Sequence, residues 1–170
     1  FLFAHIHISM RLEVCPPPGS RLPEPLWPLL SCGLLLAGSL LIEWSRRTAV
    51  GSKGDTSAGR GQGWQRMAIM IALACVVGSF AADLRSQGLA GLDPTEHAWG
   101  ATIAAMLAYQ GLHAVLLAIL AFYLLARSWA GRLTPSSRAT LDNCALVWHY
   151  ATLQGLVIAA TVQWLPKLMG

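Results

Sequence analysis

Four apolar stretches dominate this chain, and each is close to the length that an α-helix needs to cross a lipid bilayer. They run over residues 27–44, 67–84, 99–125 and 145–165. A bilayer core about 30 Å thick requires about 20 residues of helix. The stretches do not alternate with a period of two, and an open sheet edge in lipid would leave backbone groups unpaired. With 55% hydrophobic and 12% charged residues and a mean hydropathy of +0.52, the sequence predicts an all-α, polytopic transmembrane helical bundle.

The remaining segments fit a single membrane domain over residues 1–170. Residues 1–10 are apolar, but no basic segment precedes them and no cleavage site of small residues follows, so they make a poor signal peptide. We therefore expect four complete spans preceded by the stub of an earlier membrane helix. Five prolines within residues 11–26 predict an extended connector. The glycine-rich residues 51–63 predict a mobile loop.

The basic residues predict the orientation of the chain in the membrane. Eight of the twelve Lys and Arg residues lie in the segments 46–66 and 127–140, whereas four lie elsewhere. Cytoplasmic loops of membrane proteins carry an excess of Lys and Arg. We therefore expect both segments in the cytoplasm and the C-terminus on the external side. The basic residues form no stripe along a polar helix, so we expect no nucleic-acid partner.

Small residues recur at helical spacing in three of the stretches and predict the faces through which helices pack. In lipid, helices associate where small side chains let their backbones approach closely. The candidate packing residues are Gly33, Ala37, Ala108, Gly111, Ala151, Gly155 and Ala159. The shallow grooves along such faces also leave room for a phospholipid.

Polar and aromatic residues inside the last two stretches are the candidate functional residues. They are Tyr109, Gln110, Gly111 and His113 in the third stretch, and Trp148, His149 and Tyr150 in the fourth. A polar group in hydrocarbon is costly unless it is paired. Tyr109 and Gln110 precede His113 by four and three residues, which predicts that the three side chains share one side of a helix. The sequence leaves open whether they form a hydrogen-bonded polar patch, or a proton relay or ligand site.

The two intramembrane histidines raise the alternative of a haem-bearing membrane cytochrome. Neutral imidazole is a good ligand for haem iron, and His113 and His149 lie in consecutive stretches. Counted from Leu125 and Leu141 at the cytoplasmic ends, His113 lies about 12 residues deep and His149 about 8, a mismatch of roughly 6 Å along the helix axes. A small transporter or membrane scaffold is a third alternative.

The motifs of common enzymes do not occur in the sequence. It has no Walker loop, no serine–histidine–aspartate set, no H-E-x-x-H motif and no paired carboxylate site. We therefore expect the chain itself to catalyse no reaction and to bind no metal. The cysteines have no C-x-x-C spacing, and we interpret them as small apolar fillers: Cys15, Cys32, Cys75 and Cys144.

With these residues in view, the chain resembles subunit III of haem–copper cytochrome c oxidases, in particular the shorter or fused bacterial forms. Residues 110–113 read Gln-Gly-Leu-His where the family has His-Gly-Leu-His, and residues 148–150 read Trp-His-Tyr where the family has Trp-His-Phe. The resemblance covers nearly everything from residue 10 onward and begins at the end of the family's third helix. The chain would then be the C-terminal portion of a subunit III bundle.

The resemblance implies a non-catalytic subunit that supports a respiratory oxidase. Its partners would be the catalytic subunit I, which holds the haem and copper, and subunit II, while this chain would hold no cofactor. It would bind membrane phospholipid in a helix cleft and support proton uptake during aerobic electron transport in a bacterial plasma membrane. The family's intramembrane carboxylate lies before the region of resemblance, so no proton-relay residue is implied here.

Overall fold

The computed structural model describes residues 2–11, 21–51, 58–91, 93–132 and 138–169, which form five α-helices and no β-strand. The helices are α1 (Leu2–Arg11), α2 (Leu26–Gly51), α3 (Ala58–Leu89), α4 (Ala98–Trp129) and α5 (Arg138–Met169). Four of them contain segments that are long and apolar enough to cross a membrane: Leu26–Thr48, Gly63–Leu89, Ala98–Trp129 and Ala139–Trp164. The predicted all-α bundle, with four spans after a short N-terminal helix, is confirmed.

The helices extend beyond the apolar stretches that predict them. A helix satisfies its backbone hydrogen bonds internally, so it can continue into polar sequence after the apolar residues end. The predicted loop over residues 51–63 is therefore wrong for residues 58–63, which form the start of α3. Most of the predicted connector over residues 11–26 lies outside the described residues.

A glycine ends α4 and turns the chain at the end of the span. Gly131 has a φ of 64°, in the left-handed region that glycine adopts without steric cost. The Gly131 N–H donates to Ser128 O at 3.2 Å, and the Arg132 N–H donates to Arg127 O at 2.9 Å. This Schellman arrangement satisfies carbonyl groups that the last turn of the helix would otherwise leave unpaired.

The four long helices form a ring in which neighbours run antiparallel. Helix α2 packs on α3 and α5, and α4 packs on the same two helices. The short helix α1 packs on α4 and α5. It covers the seam between them at the end where α4 begins, because His5 Nδ1 lies 2.8 Å from Thr102 Oγ1.

The described parts of both segments predicted to be cytoplasmic flank one end of the bundle, which we call the basic end. Arg46 near the end of α2 donates through Nη1 to Asp142 Oδ1 of α5 at 3.0 Å. Arg66 of α3 donates through Nε to Ser128 Oγ of α4 at 3.0 Å. The described parts of the two segments therefore share one end of the bundle, and the described residues between α3 and α4 lie at the opposite end.

Two buried clusters form the core. The larger includes Trp148, Ile69 and Leu117 and draws on all four long helices. The smaller, at the opposite end, contains Trp99 and Val162, and residues of α1 pack against it. Each span buries at most 39% of its apolar window inside the bundle. Many large apolar side chains are instead exposed on the outside of the bundle, for example Leu40, Leu112 and Leu153, as expected of helices that can lie in lipid.

Several predicted packing residues lie at close helix contacts. Ala151 and Gly155 of α5 are buried. A Cβ added at Gly111 of α4 would lie 2.8 Å from Phe80 Cζ of α3, so the missing side chain makes room for the phenyl ring. The half-buried residues of the set are Ala37, Gly111 and Ala159.

Gly33 and Ala108 of the predicted packing set do not pack within the chain, because both lie on its exposed surface. A Cβ added at Gly33 would meet nothing within 4 Å. Helix α2 instead approaches α3 through Gly38, where a Cβ would lie 3.3 Å from Ala72 O. Small residues at four-residue spacing define a face of the helix, but they do not determine whether that face meets another helix or lipid.

Candidate functional site

The two groups of candidate residues do not form one site, because their members face different neighbours. Successive residues on an α-helix point about 100° apart, so adjacent motif residues reach different parts of the bundle. Tyr109, His113 and Tyr150 form an outer cluster. Gln110 is a buried amide and Trp148 is a tryptophan of the core. His149 belongs to a polar network with another helix.

Tyr109, His113 and Tyr150 form a cluster that we call the outer aromatic patch. The His113 ring lies edge-on to Tyr109 with centroids 4.6 Å apart, and it lies tilted against Tyr150 at 5.7 Å. His113 Nδ1 lies 2.9 Å from the backbone O of Tyr109, and because a carbonyl only accepts, Nδ1 donates in this bond. Tyr109 is 36% exposed and Tyr150 is 53% exposed. The patch therefore lies on the outer surface of the seam between α4 and α5.

Gln110 points into the bundle, away from the outer aromatic patch. It is only 6% exposed, and its amide lies over Gly155, where an added Cβ would be 2.6 Å from Gln110 Nε2. The prediction that Gln110 shares one side of the helix with Tyr109 and His113 is wrong, because adjacent residues 109 and 110 diverge by about 100°. Gln110 instead lines a small internal cavity.

Trp148 lies at the centre of the larger core cluster and is fully buried. Its indole packs against Gly38 of α2, where an added Cβ would lie 3.4 Å from Trp148 Nε1. Trp148 therefore fills the space that is left by the missing side chain of Gly38 on α2. Its contacts indicate a packing residue.

His149 faces α2 and joins a hydroxyl to a carboxylate. Its Nδ1 lies 2.5 Å from Ser39 Oγ, and its Nε2 lies 3.6 Å from Glu43 Oε2. Ser39 and Glu43 are four residues apart and share one face of α2. The imidazole therefore bridges two polar groups on a neighbouring helix within an apolar bundle.

Glu43 extends this contact into a network of charged side chains at the basic end. Both of its carboxylate oxygens accept from Arg46, at 2.7 and 2.8 Å, and Oε1 also accepts from Arg47 Nε at 2.6 Å. Arg46 in turn donates to Asp142 of α5 at 3.0 Å. Bidentate guanidinium–carboxylate pairs are strong and directional. We call Ser39, Glu43, Arg46, Asp142 and His149 the α2–α5 polar network.

In the sequence, Glu43 and Arg47 are four residues apart, a spacing that predicts an ion pair on one face of a helix. The sequence does not predict the rest of the network. The predicted pair is confirmed at 2.6 Å. A signal was present in the spacing, because Ser39, Glu43 and Arg46 are four and three residues apart and so lie on one side of α2. The partners on α5 are distant in sequence, and only the packing of the two helices identifies them.

The two histidines of the haem alternative lie in different seams. His113 contacts Tyr109 and Tyr150 between α4 and α5, whereas His149 contacts Ser39 on α2. A bis-histidine haem needs both imidazoles directed at one iron, and this arrangement does not fit that need. Within the described ranges, no three His, Cys, Asp or Glu side chains lie close enough together to hold a metal ion.

Three of the four cysteines are free thiols. Cys32 and Cys75 are half-buried and Cys144 is buried, in keeping with the prediction that they fill apolar space. Cys15 lies outside the described residues.

The fold and these contacts define a class of protein, a polytopic all-α bundle whose four long helices can cross a membrane. No protein-family model matches the chain, and no curated protein matches it. The likeness to oxidase subunit III therefore rests on the motifs at residues 110–113 and 148–150 and on their order along the chain.

Proposed function

We propose that this chain is a non-catalytic supporting subunit of a haem–copper cytochrome c oxidase and that it docks on another membrane subunit through the outer aromatic patch. The observation that carries the proposal is the position of that patch. His113 is the sixteenth of the 32 residues of α4, which corresponds to the middle of a membrane when the helix spans it. Its cluster nevertheless lies on the outer surface of the bundle.

A polar cluster at this depth favours a protein neighbour over lipid alone. Imidazole and phenol groups in hydrocarbon are stabilised when a neighbouring helix supplies hydrogen-bond partners and close packing. The same seam is already covered at one end by α1, through the contact of His5 with Thr102. Thr102, Tyr109 and His113 are seven and four residues apart, so they follow one face of α4. A partner helix that packs on the patch would cover the part of the α4–α5 seam that α1 leaves exposed.

The remaining parts of the proposal come from the resemblance and from the charge pattern. Haem and copper belong to the partner catalytic subunit I, and this chain stabilises it from the side and supports its proton uptake, alongside subunit II. The basic end faces the cytoplasm of a bacterial cell, because basic loops are retained on that side. Phospholipid fills the outward apolar grooves that the partner does not cover.

Affinity purification from native membranes tests the proposal. A tagged chain should bring with it a protein complex that shows haem absorption bands and contains copper. Tyr150→Leu should reduce the amount of haem protein recovered per tagged chain, because it removes a phenol from the patch. Tyr123→Leu is the matched control, since Tyr123 is an exposed tyrosine of α4 that pairs with Arg127 outside the patch.

Depletion of the chain then separates a supporting role from a redox role. The depleted oxidase should keep its haem and copper spectra, start at a near-normal rate and lose activity over repeated turnovers. Recovery of the tagged chain without any haem protein would contradict the proposal. Loss of a haem signal in His113→Leu alone would favour the haem-bearing cytochrome instead.

A further inference from the structure

The short helix α1 contacts the bundle through a buried histidine. The His5 side chain is 0% exposed, and its Nδ1 lies 2.8 Å from Thr102 Oγ1 of α4. The imidazole also lies tilted against the Trp99 ring, with centroids 6.0 Å apart. Ser9, one turn farther along α1, is buried too, whereas His7 between them is exposed. One face of α1 therefore lies in the seam between α4 and α5, and the opposite face points outward.

The hydrogen bonds of Thr102 determine which nitrogen of His5 carries the proton. The Thr102 hydroxyl donates its only hydrogen to Trp99 O at 2.8 Å. Its oxygen therefore accepts from His5 Nδ1, so Nδ1 is the protonated nitrogen of a neutral ring. The other nitrogen, Nε2, is buried and has no hydrogen-bond partner among the described residues. A proton added there would create a buried N–H that has no acceptor.

The described surroundings of His5 also contain no counter-charge for a protonated imidazole. The parts of α4 and α5 that pack on α1, residues 98–108 and 151–164, contain no titratable side chain. On α1 itself, His7 and Arg11 are exposed, and so is His97 at the N-cap of α4. A buried charge without a partner is costly. Burial therefore lowers the pKa of His5 below its ordinary value.

From this geometry we propose that His5 makes the docking of α1 depend on pH: α1 stays in the α4–α5 seam while the imidazole is neutral and leaves it on acidification. An exposed imidazole takes up a proton with a pKa of about 6.5, whereas the docked one does so only at lower pH. Docking is therefore strongest above about pH 6.5 and weakens as the pH falls below that value. This device is independent of the outer aromatic patch and of any oxidase partner.

Thiol labelling of the purified chain in detergent measures how often α1 leaves the seam. Ser9→Cys places a thiol on the buried face of α1, and Met10→Cys places one on the exposed face, each in a variant without the native cysteines. The reagent is a pyridyl disulfide, because it reacts with thiols at acid pH. The labelling rate at position 9 divided by that at position 10 reports the undocked fraction, since the intrinsic pH dependence of the reaction cancels. This ratio should be well below one at neutral pH and should rise about twentyfold between pH 7 and pH 5.

Histidine variants identify the group that causes the rise. His5→Asn keeps an N–H donor near the position of Nδ1 but cannot take up a proton, so it should abolish the pH dependence. His7→Phe and His97→Asn are the matched controls, because they remove exposed histidines, and both should keep the full rise. A rise that persists in His5→Asn, or one that is lost in either control, would overturn the proposal.

Two measurements on the unaltered histidine decide the question even where His5→Asn prevents docking at every pH. A labelling ratio with His5 intact that is near one at pH 7, or equal at pH 7 and pH 5, would overturn the proposal. An NMR titration of the His5 ring in the full chain should give a midpoint below the ordinary value for histidine. A midpoint at or above that value would show that docking does not oppose protonation, and would overturn it as well.

Discussion

The amide of Gln110 on α4 occupies the space that a side chain at Gly155 of α5 would need. A Cβ at Gly155 would lie 2.6 Å from Gln110 Nε2 and 2.6 Å from Leu35 Cδ1. Three helices therefore converge on one residue that has no side chain. Because the glutamine also borders the internal cavity, any change at this crossing alters both helix packing and the shape of the cavity.

Substitution of Gly155 should therefore destabilise the bundle. Gly155→Leu inserts four carbons where three helices meet, and overpacking of this kind costs about 1 to 3 kcal/mol. Gly33→Leu is the matched control, because an added Cβ there meets nothing within 4 Å and the residue is exposed. Thermal unfolding in detergent should give a lower midpoint for Gly155→Leu only. Equal midpoints for the two variants would place the α5 glycine against lipid.

Gly111 and Phe80 should be energetically coupled. A Cβ at Gly111 would lie 2.8 Å from Phe80 Cζ, so Gly111→Val should force the ring to move and should lower stability. Phe80→Ala removes the ring and should relieve that clash. A double-mutant cycle measured by chemical or thermal unfolding should give a favourable coupling of about 1 kcal/mol between the two changes. Strict additivity of the two effects would show that the residues do not touch.

The α2–α5 polar network should hold the basic end together. Glu43→Gln removes the charge that Arg46 and Arg47 share, so it should lower the thermal midpoint. Glu96→Gln, at an exposed position of the opposite loop, serves as the control and should have little effect. Salt should narrow the difference between the two variants only slightly, because Glu43 is partly buried. An unchanged midpoint in Glu43→Gln would show that the network adds no stability.

The charge pattern predicts which end of the bundle faces the cytoplasm. Single cysteines are introduced into a variant without the native cysteines, one as Ala130→Cys at the basic end and one as Glu96→Cys at the other. Both positions are exposed. In intact cells an impermeant thiol reagent should label the cysteine at position 96, and it should label that at 130 only after permeabilisation. The reverse pattern would invert the orientation.

Asp93 should make stability depend on pH in the acid range. Its Oδ1 accepts from the Thr95 hydroxyl at 2.6 Å and from the Thr95 N–H at 2.8 Å, and these bonds hold the pKa of Asp93 below its ordinary value. The pKa of Asp93 is lower in the folded chain than in the unfolded chain. The carboxylate therefore adds to the free energy of unfolding above the unfolded pKa of about 3.9, and this stabilisation is lost as the pH falls through the folded pKa. The advantage of the parent over Asp93→Asn in thermal midpoint should disappear at low pH. A difference in thermal midpoint between the parent and Asp93→Asn that stays constant down to pH 2 would contradict this prediction.

The sequence predicts the fold well because its strongest signal is the length of apolar segments. A helix across lipid needs a run of about 20 residues, and all four such runs became long helices. The packing faces are less predictable. Gly33 and Gly38 lie on the same helix, but the first is exposed and the second contacts α3. Lipid and a neighbouring helix are both apolar, so hydrophobicity does not distinguish the two sides.

The candidate site is predictable only in part, because its contacts join residues that are far apart in the chain. The polar residues Tyr109, Gln110 and His113 are conspicuous in the sequence, but their spacing does not reveal that Gln110 turns away from the other two. The link from His149 to Ser39 depends on how α5 is rotated against α2. Local periodicity contains no information about that rotation.

Residues 148–150 have a mechanical consequence for α5. Trp148 is buried in the core, His149 is bonded to Ser39 on α2, and Tyr150 rests on His113 of α4. Three successive side chains of α5 thus make contacts in three directions, over a rise of about 3 Å along the helix axis. A twist of a few tens of degrees would break all three contacts together, whereas a bend farther along would break none. These three contacts therefore resist rotation of α5 about its axis at this level. A movement of the bundle that rotates α5 must break all three, and one that does not can leave them intact.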